Sequence, residues 1–306
     1  MMMVQEDQKF HTLVHRMNAA WQLLRTWVLK GGISAQVTGL EILQSDGHII
    51  KLIVREHGDL DLQRNPHIAA DEFKLLNLLH SENVSVPKPY HLVPDGELFL
   101  KPALVIEYIE GKANFAPSNM NEYTYQLAVA LSQLHRIDCS CVDVSFLPLQ
   151  IENYNKLLVK DLLRLDSLLN NSDTLEKIHS FLRLPSCNKV AILHGDFWPG
   201  NLLWNNGQLI SLIDWEDAAV GDPLADLANG RLEFLFHFGE DAMNCFTNHY
   251  QAMMPTVDYS HLAYWDVFAA LRLCRFSEWG LDEETVKMMH DKHRFFVTQA
   301  INRLIS

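Results

Sequence analysis

Apolar residues along this chain repeat first with the period of a helix and then in short β-type runs. Phe10, Leu13, Val14, Met17, Trp21 and Leu24 recur every three or four positions, which predicts an amphipathic opening helix that Gly31-Gly32 breaks. Gln36-Val37-Thr38-Gly39, the run Leu40 to Leu43, the turn Asp46-Gly47 and the run Ile49 to Val54 follow, and they predict a β-hairpin. A helix is expected over His67–Ser81, with Ile68, Phe73, Leu75, Leu76 and Leu79 apolar. Pro87 and Pro89 then force an extended connection. Ala103 to Ile109 is a buried strand in pattern, with Gly111 just beyond it. Helices are expected over Tyr123–Ile137, Asn153–Leu169, Leu224–Phe238, Ala242–Ala252, His261–Phe276 and Glu283–Leu304. No internal repeat, low-complexity tract or long linker interrupts this order. A small β-rich lobe followed by a large helical lobe accounts for it.

The densest chemistry lies between Val190 and Ala228, VAILHGDFWPGNLLWNNGQLISLIDWEDAAVGDPLADLA. An apolar run ends in His194-Gly195-Asp196, four residues separate Asp196 from Asn201, Asn206-Gly207 turns the chain, and a second apolar run delivers Asp214. The pattern is strand, loop, strand, with an acid and an amide on the loop and a further acid at the end of the second strand. Phosphoryl transfer asks for such a set: oxygen ligands for a hard cation, a carboxylate aimed at the attacking hydroxyl, and rigid positioning. Asn201 and Asp214 are the candidate metal ligands, and Asp196 remains to orient the hydroxyl and accept its proton. The H-x-D-x-x-x-x-N spacing is the one that kinases use. Each of the three could instead cap a turn, but three spaced blocks in one segment favour the chemistry.

With HGDFWPGN, LIDWEDA and GDPLADLA in order, the chain resembles the aminoglycoside phosphotransferase family, the small-molecule branch of the protein-kinase-like fold that also holds choline, homoserine and fructosamine kinases. The resemblance runs from about Ser34 to Ala228. It implies an α+β, bilobal protein-kinase-like fold, with an antiparallel sheet in a small N-terminal lobe (1–106), a hinge (107–111) and a mainly helical C-terminal lobe (112–306). It also implies ATP or GTP as co-substrate, Mg2+ as cofactor, and a small molecule bearing the acceptor hydroxyl. By resemblance Arg55 grips the phosphates, with Lys51 as its rival; Glu72 holds that cation, with Asp71 the alternative; and the backbone at Glu107 and Ile109 meets the purine. The family's phosphate-covering turn is represented here by Ser34 and Gly39 alone. His194 is expected to pack and hold the loop, Asp226 to anchor it through backbone N–H groups, and Asp222 to cap a helix. Trp198 could wall the acceptor pocket, whereas Tyr264, Trp265 and Trp279 could pack helices or cage a quaternary ammonium.

Composition narrows the partners. A net charge of −13 argues against nucleic acid or an anionic membrane surface and would suit a cationic acceptor. No apolar run approaches a membrane span, and the first residues lack a secretion signal, so a cytoplasmic protein, monomeric or homodimeric, is expected. The five cysteines are scattered without a C-x-x-C pair and fit reduced thiols. The absence of D-F-G and A-P-E blocks argues against a protein kinase. The competing function is a kinase-like module that binds nucleotide or ligand without catalysis, for which the glycine-poor loop is the support.

Overall fold

The computed structural model describes residues 2–29, 35–94, 96, 98–154 and 187–305. The chain divides into two compact units, Met1–Gly111 with Ser211–Glu216, and Lys112–Ile210 with Asp217–Ser306. Asp214, assigned by a boundary at 107–111 to the C-terminal lobe, is therefore carried by a segment compact with the first unit.

Among the described residues the first unit is a five-stranded antiparallel sheet with three helices. Its strands are β1 (Gln22–Leu29), β2 (Ala35–Leu43), β3 (Ile49–His57), β4 (Pro89–Val93) and β5 (Ala103–Glu107), in the order β1-β2-β3-β5-β4. The helices are α1 (Met2–Met17), α2 (Asp59–Arg64) and α3 (Ile68–Ser81). Phe10, Leu13 and Val14 of α1 are buried in one cluster with Leu40 and Ile42 of β2 and Leu52 and Val54 of β3. The α1 stripe thus covers one face of the sheet, as its period predicts.

That helix stops at Met17, and Trp21 and Leu24 lie beyond it. Asn18 turns the chain, accepting the Ala20 N–H on its side chain and the Trp21 N–H on its carbonyl. Gln22–Leu29 then pairs along β2 as a strand that the helical period concealed. Thr26, Trp27 and Val28 favour the pleated form once β2 offers a partner. Gly31-Gly32 and Ser34 lie outside the described residues. Gly39 lies within β2, in register with Trp27, where an added Cβ would stand 2.2 Å from the indole ring. This position is held by ring-on-backbone packing inside a strand. The β2–β3 turn forms at Asp46-Gly47 as its signal predicts: Gly47 has φ +86, and Asp46 Oδ1 accepts the His48 N–H.

The second unit is mainly helical: α4 (Met120–His135), α5 (Leu224–Phe238), α6 (Glu240–Met253), α7 (Leu262–Arg272) and α8 (Glu283–Ile305). Of the helix expected over Asn153–Leu169, all but the first two residues lie outside the described residues. Phe197, Phe246 and Phe234 stack through its centre, with ring centroids 6.0 and 4.7 Å apart. Two ribbons are also formed among the described residues, β6 (Ala191–Leu193) with β9 (Ala219–Gly221), and β7 (Leu202–Asn205) with β8 (Gln208–Leu212), the last two residues of β8 being counted with the first unit. Asn206 and Gly207 join the latter pair with φ +49 and +78, the paired left-handed residues of a tight hairpin turn. Among the described residues no helix is long and apolar enough to cross a membrane.

Candidate active site

The loop after β6 is held by one buried carboxylate. Asp226, 1% exposed on α5, accepts the His194 N–H at 2.6 Å and the Gly195 N–H at 2.9 Å. Its Oδ2 also lies 3.2 Å from His135 Nε2. Burial alone would raise the Asp226 pKa, but His135, His194 and these N–H groups outweigh it and hold the acid below its ordinary range. His194 is fully buried, and its Nδ1 lies 3.3 Å from the Asp196 N–H. Both residues thus hold the loop, as expected. Asp222 accepts the N–H of Leu224 at the start of α5.

Gly195 has φ +80, and a Cβ there would stand 1.9 Å from the carbonyl oxygen of Asp217. Only glycine fits both the left-handed backbone and the close approach. Gly195→Ala must shift the loop, and displacements near 1 Å can cost about 100-fold in rate. Steady-state kcat is expected to fall by about that factor, with a lower melting temperature. Unchanged kcat would mean that this turn does not position the chemistry.

The Asp196 carboxylate is held on both oxygens. Oδ1 accepts from Arg272 at 2.9 Å, and Oδ2 accepts from the Asn201 Nδ2 at 3.0 Å. That Asn201 nitrogen also donates to the Asp196 carbonyl at 3.0 Å. Arg272 reaches Asp217 Oδ2 at 3.0 Å and Asn229 Oδ1 at 2.7 Å, and Asn229 Nδ2 donates to the Phe197 carbonyl at 3.2 Å. Burial would lower the Arg272 pKa, but Asp196 and Asp217 reverse this and raise it. The guanidinium is therefore a permanent positive clamp. Arg272 ends α7, 76 residues from the acid it holds, and no local pattern marked it.

Beside this loop, Trp198, Phe115 and His237 form an aromatic group, with ring centroids 5.1 to 6.1 Å apart. His237 Nε2 is 3.4 Å from Glu233 Oε2. Burial raises the Glu233 pKa, and the Asp196 charge adds to it, more than His237 and Arg272 lower it. The three aromatics considered for an ammonium cage have other surroundings. Trp265 is buried against Tyr154 and Phe268, Tyr264 is edge-on to His261, and Trp279 is edge-on to Phe276. These contacts are those of helix packing.

In the first unit Arg55 is the hub. It is 8% exposed on β3 and donates to Glu72 at 2.8 Å, Asp214 at 2.5 Å and Glu216 at 2.7 Å. Burial opposes its charge, yet the three carboxylates raise its pKa above the ordinary value. The Glu72 pKa falls in turn, because Arg55 and the neighbouring His57 outweigh burial. Of the alternatives, Lys51 is the more exposed and pairs with Glu110, while Asp71 bonds Asn65 and Lys74. Asp214 sits at φ +69, just after β8. Glu107 ends β5 with its N–H given to the Lys88 carbonyl, and the Ile109 carbonyl accepts from Gly111. Glu216 was missed in the sequence, although it lies two residues past Asp214 in the same motif.

A profile of the phosphotransferase enzyme family matches residues 43–243, well over half of the 306. The chain belongs to the phosphotransferase enzyme family. Acyl-CoA dehydrogenase family member 10 from Mus musculus is 23% identical over 236 residues, 67% of this chain and 22% of that protein. The chain thus spans only about a fifth of the length of that relative. Among solved structures, the GDP complex of aminoglycoside 2′-phosphotransferase-IIIa superposes with a TM-score of 0.63 at 15% identity, covering 94% of this chain and 98% of that one. Choline kinase from Cryptosporidium parvum Iowa II gives 0.62 at 12% identity, covering 98% and 96%. At these identities the phosphotransferase shares with them its protein-kinase-like, α+β fold.

Proposed function

We propose that this phosphotransferase moves the γ-phosphoryl of ATP or GTP to a hydroxyl of a small molecule, with Asp196 as the base. The observation that carries this reading is the Asp196 carboxylate, fixed by Arg272 and Asn201 on a loop that Asp226 anchors. A base whose two oxygens are already aligned meets an incoming hydroxyl without reorganisation. In a loose phosphoryl-transfer transition state, that orientation counts for more than basicity.

Asn201 and Asp214 suit Mg2+. The Asn201 amide nitrogen is engaged with Asp196, so its oxygen is the atom to offer a hard cation. Asp214 brings a partly exposed carboxylate. When bound, the ion neutralises charge on the nucleotide phosphates. Arg55, oriented by Glu72, would grip those phosphates with its planar fork, and the backbone at Glu107 and Ile109 would meet the purine. Trp198, Phe115 and His237 would wall the acceptor.

The test is label transfer from [γ-32P]ATP and [γ-32P]GTP, with Mg2+, to amino-sugars, macrolides, choline, homoserine and fructosamines. One acceptor class is expected to take up label well above acceptor-free hydrolysis. Tight nucleotide binding with no labelled product and no hydrolysis would overturn the catalytic reading in favour of a binding module.

A further inference from the structure

Beneath Arg55 lies a second cluster that phosphoryl transfer does not use. His57, at the end of β3, is fully buried, and neither ring nitrogen makes a hydrogen bond. Its Nε2 is 3.1 Å from Glu72 Oε2, an ion-pair distance without hydrogen-bond alignment. Asp61, on α2, is 5% exposed, and its Oδ2 is shut off from solvent without a partner. Glu216 completes the group: one ligand atom each from His57, Asp61 and Glu216 lie within 4.8 Å of one another.

Buried polar atoms without partners are costly, and charged ones more so.

A divalent ion would satisfy the orphaned atoms of His57 and Asp61. One imidazole and two carboxylates form a mixed set, softer than the all-oxygen environment that Mg2+ prefers and suited to Zn2+ or a similar first-row ion. Glu72, with Oε2 3.1 Å from the imidazole Nε2, stands in the place of the outer carboxylate beside a ligating histidine, and a small turn of the ring would align the two. We propose that His57, Asp61 and Glu216 bind a divalent transition-metal ion, which fastens segment 211–216 to the end of β3. The ion is distinct from the one assigned to the nucleotide, and its ligands all belong to the first unit.

The test uses the full chain, stripped with EDTA and free of nucleotide and acceptor, titrated with Zn2+ by calorimetry and with Co2+ by visible absorption. One equivalent per chain is expected, with visible Co2+ bands and a higher melting temperature. Asp61→Asn and His57→Gln should each weaken Zn2+ binding by at least about 100-fold, beyond the 10–100-fold typical of losing an outer partner. Asp214→Asn should leave it within about threefold, since the nucleotide's ligand lies outside the proposed set. No uptake by the unsubstituted chain overturns the site. So does uptake that survives both substitutions, as binding at the exposed Cys141 or Cys187 would. Because no nucleotide or acceptor is present, an inactive chain that takes up Zn2+ sinks only the kinase reading, and an active chain that takes up none sinks only this one.

Discussion

Asp196→Ala is expected to lower kcat by about 10²–10⁴-fold, the range for losing a positioned general base. The nucleotide Kd should stay within about twofold, because the groups assigned to the phosphates, Arg55 and Glu72, are bonded to each other, whereas Asp196 is bonded to Arg272 and Asn201. The carboxylate makes two side-chain contacts, to Arg272 and Asn201, so its removal also frees a guanidinium. Asp196→Asn separates these effects. It keeps the shape and an oxygen facing Arg272 but lacks a lone proton acceptor of carboxylate strength. Both variants should lose turnover alike if proton acceptance and hydroxyl alignment are the role. Steady-state kinetics with the best acceptor, alongside calorimetric nucleotide binding, decide the matter. Unchanged kcat in either variant removes Asp196 from the chemistry.

Chemistry written in local spacing could be read from the chain, and chemistry assembled by the fold could not. The loop from His194 to Asn201 announces itself through Gly195, whose left-handed turn tolerates no side chain, and through Asn206-Gly207, which fixes the following hairpin. Asp226 could be placed as the loop's anchor because it sits in a block with its own helix-start grammar. The Arg55–Glu72 pair was legible through resemblance, since strand cation and helix acid occur in a fixed order. Arg272 had no such marker. It ends a helix whose other residues are mostly buried and apolar, and only the path of α7 brings it to Asp196. The His57–Asp61–Glu216 group is similar: Glu216 is more than 150 residues from the other two. The opening helix was overextended for a different reason, because pairing with β2 overrode a helical stripe that persisted by chance through Trp21 and Leu24. Gly39 shows the converse, a glycine required by a ring packed across it.

Arg272→Met should reduce kcat by about 10–100-fold, which corresponds to the ~1.5–3 kcal/mol of hydrogen bonds to a charged group. The guanidinium is a positioning residue: it holds Asp196 and Asp217 on one nitrogen and Asn229 on the other. Removing it leaves two carboxylates to repel each other and lets the base swing off the single alignment it now has. Stability should also fall, since those acids lose their counter-charge. A drop in melting temperature alone could not separate positioning from support, whereas a double-mutant cycle can. If Arg272 acts through Asp196, Arg272→Met should cost turnover in the unsubstituted chain but little further in the Asp196→Ala background. The nucleotide Kd should be unmoved in both. Arg272→Lys should recover part of the rate, because an ammonium keeps the charge but lacks the planar fork that reaches three acceptors at once. Equal losses in the two backgrounds would show that Arg272 supports the fold without aiming the base.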